Sequence, residues 1–148
     1  MIQRQRATLI LTLLAASLGG CAKDPSFTQL RSYPSQLNRL EPGNIQLYRA
    51  DTKVKITNTT AHNIGPSTIW LNQWFAHDIE GLGIGQTLTL TLSTFKDEYG
   101  DPFHGGGFFA TQAPDQIVLA ELETKPNTAD PATPSALLPL IVVGQRKN

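Results

Sequence analysis

The sequence predicts an all-β fold, a single β-sandwich of about seven strands behind a cleaved leader and a short tether. Three observations predict it. From Ile45 onward, short segments rich in β-branched and alternating residues recur at fairly regular spacing. Gly, Pro and Asn fall between them, and no amphipathic helix interrupts the series. The stretch Gln86-Thr87-Leu88-Thr89-Leu90-Thr91-Leu92 is the clearest case: leucines point one way and threonines the other, and the branched threonine Cβ suits an exposed strand face. An Asp at Leu90 is therefore predicted to unfold the domain.

The chain begins with a leader. Arg4 and Arg6 form a short basic region, and Ala7 to Leu18 supply an apolar run of signal-peptide length, too short to remain as a membrane span, which takes about 20 residues. Leu18-Gly19-Gly20-Cys21 follows, and Cys21 is the single cysteine of the chain. This tetrapeptide resembles the lipobox of bacterial lipoproteins; the alternative is an ordinary secretory signal with a chance Cys beside the cut. The resemblance implies removal of residues 1–20, a thioether-linked diacylglycerol on Cys21 and, in many bacteria, a third acyl chain on its amino group. Two or three chains make such an anchor effectively permanent. Ala22, rather than Asp, after the Cys favours the outer membrane facing the periplasm if the envelope has one. An acylated Cys21 leaves no thiol, so the fold must be held by burial rather than by a disulfide.

Without the leader, 128 residues remain, a size suited to one domain with one core. Twelve basic and twelve acidic residues become ten and twelve, because Arg4 and Arg6 leave with the leader. No basic patch stands out, which argues against nucleic-acid binding and against polybasic attraction to lipid. The last apolar segment, Leu137 to Val143, is interrupted by Pro139 and far too short for a second span.

Residues 21–43 read as the lipidated N-terminus and tether, with Pro25, Pro34 and Pro42 among polar residues and an edge strand around Phe27 to Tyr33. If flexible, roughly 20 such residues reach about 25 Å. The sandwich is assigned to residues 44–144 and a tail to 145–148. Ile45 to Tyr48 opens it. In Lys53-Val54-Lys55-Ile56-Thr57 the alternation places Val54 and Ile56 on one face and both lysines on the other. Asn58 to Asn63 reads as a turn, with Asn58 bonding nearby backbone. Thr68 to Ile79 reads as a strand with Ile69, Leu71 and Phe75 on one side and Trp70, Asn72 and Trp74 on the other. A buried helix is the competing reading, which Pro66 and the flanking glycines disfavour. Ile117 to Glu123 is a further strand, with Val118, Ala120 and Leu122 on one face. Lys125 to Pro134 is a Pro-rich loop, and Leu137 to Val143 is the last strand.

The segment Val54 to Thr59, a long strand, and then Leu82 to Leu90 resembles bacterial Ig-like domains of the cell-adhesion-related (CARDB-like) and fibronectin type III-like kinds. The resemblance covers residues 45–95 and implies a single Ig-like β-sandwich. It departs at Ile84, where proline is usual, and in the aromatic, glycine-rich stretch after Phe95. It carries no function, because this architecture hosts many unrelated roles.

Candidate chemistry is sparse. Gly81-Leu82-Gly83-Ile84-Gly85 has the wrong spacing for a dinucleotide fingerprint and opens a strand rather than a helix, so it reads as a turn. Asp97, Glu98 and Asp101 lack the alternating pattern of a calcium loop. His62, His77 and His104 are assigned to three separate loops with no paired spacing, which gives no zinc set. No nucleophile elbow or placed carboxylate pair points to catalysis. The expectation is thus a non-enzyme with no metal and no cofactor; an uncharacterised hydrolase, which would need a concave site with convergent polar groups, is the third-ranked reading. The aromatic set Trp70, Trp74, Phe103, Phe108 and Phe109 remains as a candidate ligand platform, with Gly105 to Gly107 permitting close approach; filling of the core is the other reading. The expected role is a lipid-anchored interaction or structural module of the bacterial envelope, holding a protein partner by strand addition to a sheet edge. The alternative is a carbohydrate-binding module for cell-wall or surface glycan.

Overall fold

A computed structural model describes residues 30–125 and 134–144; Cys21, the leader and the 145–148 tail lie outside them. The described residues form two β-sheets packed face to face, the all-β sandwich that the sequence predicts, with nine strands if the two-residue β1 and three-residue β9 are counted. One sheet has five strands in the order β1-β8-β7-β4-β5, namely Asn38–Arg39, Ala136–Pro139, Ala120–Thr124, Ser67–Leu71 and Phe75–Ile79. The other has four in the order β6-β3-β2-β9, namely Thr87–Thr91, Lys53–Asn58, Ile45–Ala50 and Ile141–Val143.

Alternation sets each inner face. In β2, Ile45, Leu47 and Arg49 are buried while Gln46 and Tyr48 are exposed; β3 follows the same rule with Val54, Ile56 and Asn58 inward. The five-stranded sheet contributes Ile69, Leu71, Ala120 and Leu122, and Leu92, Phe95, Phe103 and Leu140 complete the core from connecting segments. Leu88 and Leu90 pack only half-buried against it, because β6 is an edge strand.

Leu137 to Val143 is not one strand. Its two halves flank Leu140, and the run passes from one sheet to the other. The chain from β1 to β2 makes the same crossing alongside, which produces the two parallel pairs, β1 with β8 and β2 with β9. Backbone bonds tie the crossings together, Leu40 N–H to Leu137 O at 2.8 Å and Gly43 N–H to Pro139 O at 3.1 Å. A side chain at Gly43 would begin 3.0 Å from the Leu138 side chain, so the close approach asks for glycine.

Several sequence expectations change. Thr68 to Ile79 is a hairpin: Trp74 N–H bonds Leu71 O, and Asn72 and Gln73 between them take φ of 53° and 60°. Positive φ at both central residues matches the right-handed twist of the strands, and Asn tolerates it better than most side chains. The Ile117–Glu123 strand begins at Ala120, and Val118 is exposed instead of sharing the inner face. The edge strand forms at Asn38–Arg39, whereas Leu30–Tyr33, the described part of the segment expected to form it, carries no strand. Residues 30–43, assigned to the tether, pack on the sandwich: the part before β1 runs as a strap over the outer face of the five-stranded sheet, Asn38–Arg39 join its edge, and residues 40–43 cross to the other sheet.

Candidate functional site

The outer face of the five-stranded sheet is where burial and sequence disagree most. β7 reads Ala-Glu-Leu-Glu-Thr, yet Glu121 and Glu123 are as buried as the Leu122 between them. A carboxylate so placed must be paired, because taking its charge out of water costs several kcal/mol. The strap supplies the partners. Arg39 Nε lies 2.7 Å from Glu121 Oε1, an ion pair without the alignment of a directed hydrogen bond. Tyr33 donates its hydroxyl to Glu121 Oε2 at 2.7 Å while accepting from Arg39 Nη2 at 3.2 Å and Gln73 Nε2 at 3.3 Å. Arg31 pairs with Glu123 Oε1, and buried Trp70 donates its indole N–H to Glu123 Oε2 at 2.9 Å. The Tyr33 ring meets Trp70 edge-on, with centroids 5.4 Å apart, and Pro34, the next residue in the strap, is buried.

Burial, followed by the hydrogen bond to Glu121, pushes the Tyr33 hydroxyl above the ordinary tyrosine range. Farther along, Thr68 donates to Asp78, and that bond, helped by Lys125 at 3.3 Å, holds Asp78 below the usual carboxylate range. Every carboxylate of the cluster is thus engaged by a cation, a hydroxyl or an indole, and the strap lies over Glu121 and Glu123. This arrangement fastens the N-terminal segment to the sheet; it leaves no free acid–base pair facing a ligand. The sequence carried a signal for it, two glutamates alternating with apolar residues in a strand, but the residues that neutralise them lie 82 to 92 positions away.

The aromatic set divides. Trp70 is sealed under the strap and Phe103 lies in the core against Phe75 and beneath the Arg49 guanidinium. Trp74 is half exposed on the β4–β5 turn, with its indole N–H 3.3 Å from Asp97 Oδ2. Phe108 and Phe109 are 96% and 91% exposed, with their rings perpendicular at 5.0 Å. Five rings therefore do not make one flat platform.

Phe108 and Phe109 stand at the tip of a loop closed at its base. Asp115 N–H bonds His104 O, His104 N–H bonds Asp115 Oδ2 at 3.1 Å, and buried Arg49 donates to the carbonyls of Gly105 and Asp115. Gly106 and Gly107 take φ of 79° and 130°, which only glycine adopts without strain. This loop sits at one end of the sandwich. There, Thr52 of the β2–β3 turn accepts from Leu92 N–H, and Asn72 of the β4–β5 turn donates to Gln116 O and accepts from Val118 and Leu119 N–H.

The remaining motifs are local. Asn58 is a buried turn residue, with its carboxamide donating to His62 O and Leu82 O and accepting from Thr60 N–H. Asp97 is likewise buried and caps its turn by accepting from Tyr99 and Asp101 N–H. His77 lies within β5 against Phe95, not in a loop. Among the described residues no group of three His, Cys, Asp or Glu could hold a metal ion.

The sheet edges differ in kind. β1 has two residues and β9 three, and β5 is bridged to Lys96 by a reciprocal pair of backbone bonds. β6 is an edge of five residues, Thr-Leu-Thr-Leu-Thr, with no charge, proline or bulge. Its hydrogen-bonding phase follows from the flanking bonds, Asn58 N–H to Gln86 O and Leu92 N–H to Thr52 O. In the register of Lys55 with Thr89, this places Leu88 and Leu90 on the ladder to β3 and turns the backbone N–H and C=O of Thr89 outward.

The site is thus that of an all-β sandwich with a strapped sheet, one long open edge and an aromatic loop tip. Compared with protein-family models, with curated proteins and with solved structures, the chain matches none.

Proposed function

We propose that this protein is a lipid-anchored, non-catalytic interaction module of the bacterial envelope, which holds a protein partner through strand addition at β6. The observation that carries this reading is the open β6 edge. Natural sheets blunt such edges with charge, proline, bulges or cover, and an extended partner can bond to one that is left bare. Here the other edges are short or bridged, while β6 offers outward backbone groups flanked by the exposed methyls and hydroxyls of Thr87, Thr89 and Thr91. The anchor half of the proposal rests on the lipobox-like Leu18-Gly19-Gly20-Cys21. The engagement of Glu121 and Glu123 by the strap supports a fastening role for these carboxylates over a catalytic one.

The test uses an edge-specific substitution. Thr89→Pro removes an outward N–H without touching the β3 ladder, a position where an edge strand accepts proline. With a photo-crosslinking residue at Thr87 in intact cells, the full chain should give a discrete protein adduct that Thr89→Pro abolishes while leaving thermal stability close to wild type. An adduct unchanged by Thr89→Pro, or none at all, rejects β6 as the docking edge.

A further inference from the structure

We infer that the Phe108–Phe109 loop is a second membrane contact, dipping into the lipid interface beside the N-terminal anchor and fixing how the sandwich faces its membrane. This rests on the anchor reading above and adds an orientation to it.

Three observations converge on a lipid surface as the occupant. The first is the chemistry of the loop. Gly105 to Pro114 contains no charged residue, and its two large side chains are almost wholly exposed. Two adjacent bare phenylalanines on a monomer mark an interaction site rather than ordinary surface, and aromatic residues rich in apolar area partition to the headgroup boundary.

The second is the way the tip is held. Arg49 and the His104–Asp115 closure fix the base, and Gly107 N–Cα geometry is set by a positive φ, with Ala110 N–H bonding Gly107 O across the turn. The rings are therefore projected by a braced compact loop and do not fold back on the protein, so little ordering cost attends insertion.

The third is where the chain comes from. Leu30, the first described residue, donates its N–H to Glu98 O at 3.0 Å. Glu98 belongs to the same excursion, between Phe95 and Leu119, that carries the aromatic tip and wraps the β4–β5 turn. Eight residues lie between Cys21 and Leu30, so the chain joining them spans roughly 30 Å at most when fully extended. The described strap thus starts at the end of the sandwich that bears Phe108 and Phe109, with Cys21 within that length of chain from it, while the Gly83–Gln86 turn lies at the far end of β6. A tether this short keeps the tip at high effective concentration near the bilayer, so a contact too weak to recruit the domain alone can still orient it.

The chain's single cysteine makes the test clean. The full chain is expressed with Ala110→Cys, leaving both phenylalanines in place, or with Ile84→Cys in the far turn. Each is nitroxide-labelled and reconstituted in phosphatidylethanolamine–phosphatidylglycerol vesicles. An acylated Cys21 has no thiol to label. The expected result is a label at 110 whose relaxation responds to oxygen more than to an aqueous nickel chelate, with the order reversed at 84. Phe108→Ser with Phe109→Ser should shift the 110 label to the aqueous pattern without releasing the protein. If the label at 110 is as open to nickel as the label at 84 while the protein stays on the vesicles, the membrane contact is wrong and the anchor stands. A 110 label that is aqueous on vesicles but immobilised on intact cells assigns the tip to a protein or glycan instead, and equally overturns the proposal. Labelling of Cys21 itself, with protein in the soluble fraction, removes both anchor and contact.

Discussion

Tyr33 shows what a single side chain does for the strap. Its hydroxyl donates to a buried carboxylate and accepts from Arg39 and Gln73, so the neutral phenol fits its surroundings and the phenolate does not. Burial first, and the Glu121 bond second, raise its pKa in the folded state. A raised pKa contributes stability that is fully present below the ordinary tyrosine value, about 10, and is lost as pH rises through the folded value. Tyr33→Phe should therefore cost about 1–2 kcal/mol at neutral pH, a charged hydrogen bond discounted for its partial exposure. The gap to wild type should close under alkaline conditions, where Tyr33 ionises beside Glu121. Denaturant midpoints across that range check it, and a pH-independent gap would show that the hydroxyl contributes through packing alone. None of this was legible around Tyr33 in the sequence, where it stands among Arg31, Ser32 and Pro34 in a segment with no periodicity. The long-range pairing with β7 carries the information, and no local pattern encodes it.

Among the elements, legibility followed alternation. β3 and β6 were readable because their inner and outer residues differ in kind, Val and Ile against Lys, Leu against Thr. The β4–β5 hairpin was not, because its turn is Asn72-Gln73 rather than a glycine-containing pair and apolar residues run through both strands. Edge position was also hidden, and it changes the prediction for Leu90. On an edge strand and half-buried, an aspartate there can turn toward water, so Leu90→Asp should destabilise by about 2–4 kcal/mol and leave a folded population. Leu47, wholly buried in β2 between two neighbours, gives its charge no such exit, and Leu47→Asp should exceed about 5 kcal/mol and abolish folding. Circular dichroism and denaturation of both variants decide it; equal losses would mean that β6 is enclosed on its outer side.

At the scale of the whole molecule, the boundary between tether and domain moves. Composition places it at residue 44, where the β pattern starts, but in the fold residues 30–43 already contact the sheets: they cover Trp70, pair Glu121 and Glu123, and add β1 to β8. A chain starting at Asn44 would keep both sheets' larger strands yet bare two carboxylates and an indole evolved under cover. Rehydrated, those carboxylates no longer cost as buried charges, but the packing of Tyr33 and Pro34 on the sheet is lost, along with the parallel pairing at its edge. Relative to a chain starting at Leu30, the shorter one should lose more than about 10 °C in Tm, and Trp70 emission should shift to the red as water reaches it. Equal melting temperatures would return the strap to the status of a passive tether, and the fixed starting point of the chain at Leu30, beside the aromatic end of the sandwich, would go with it.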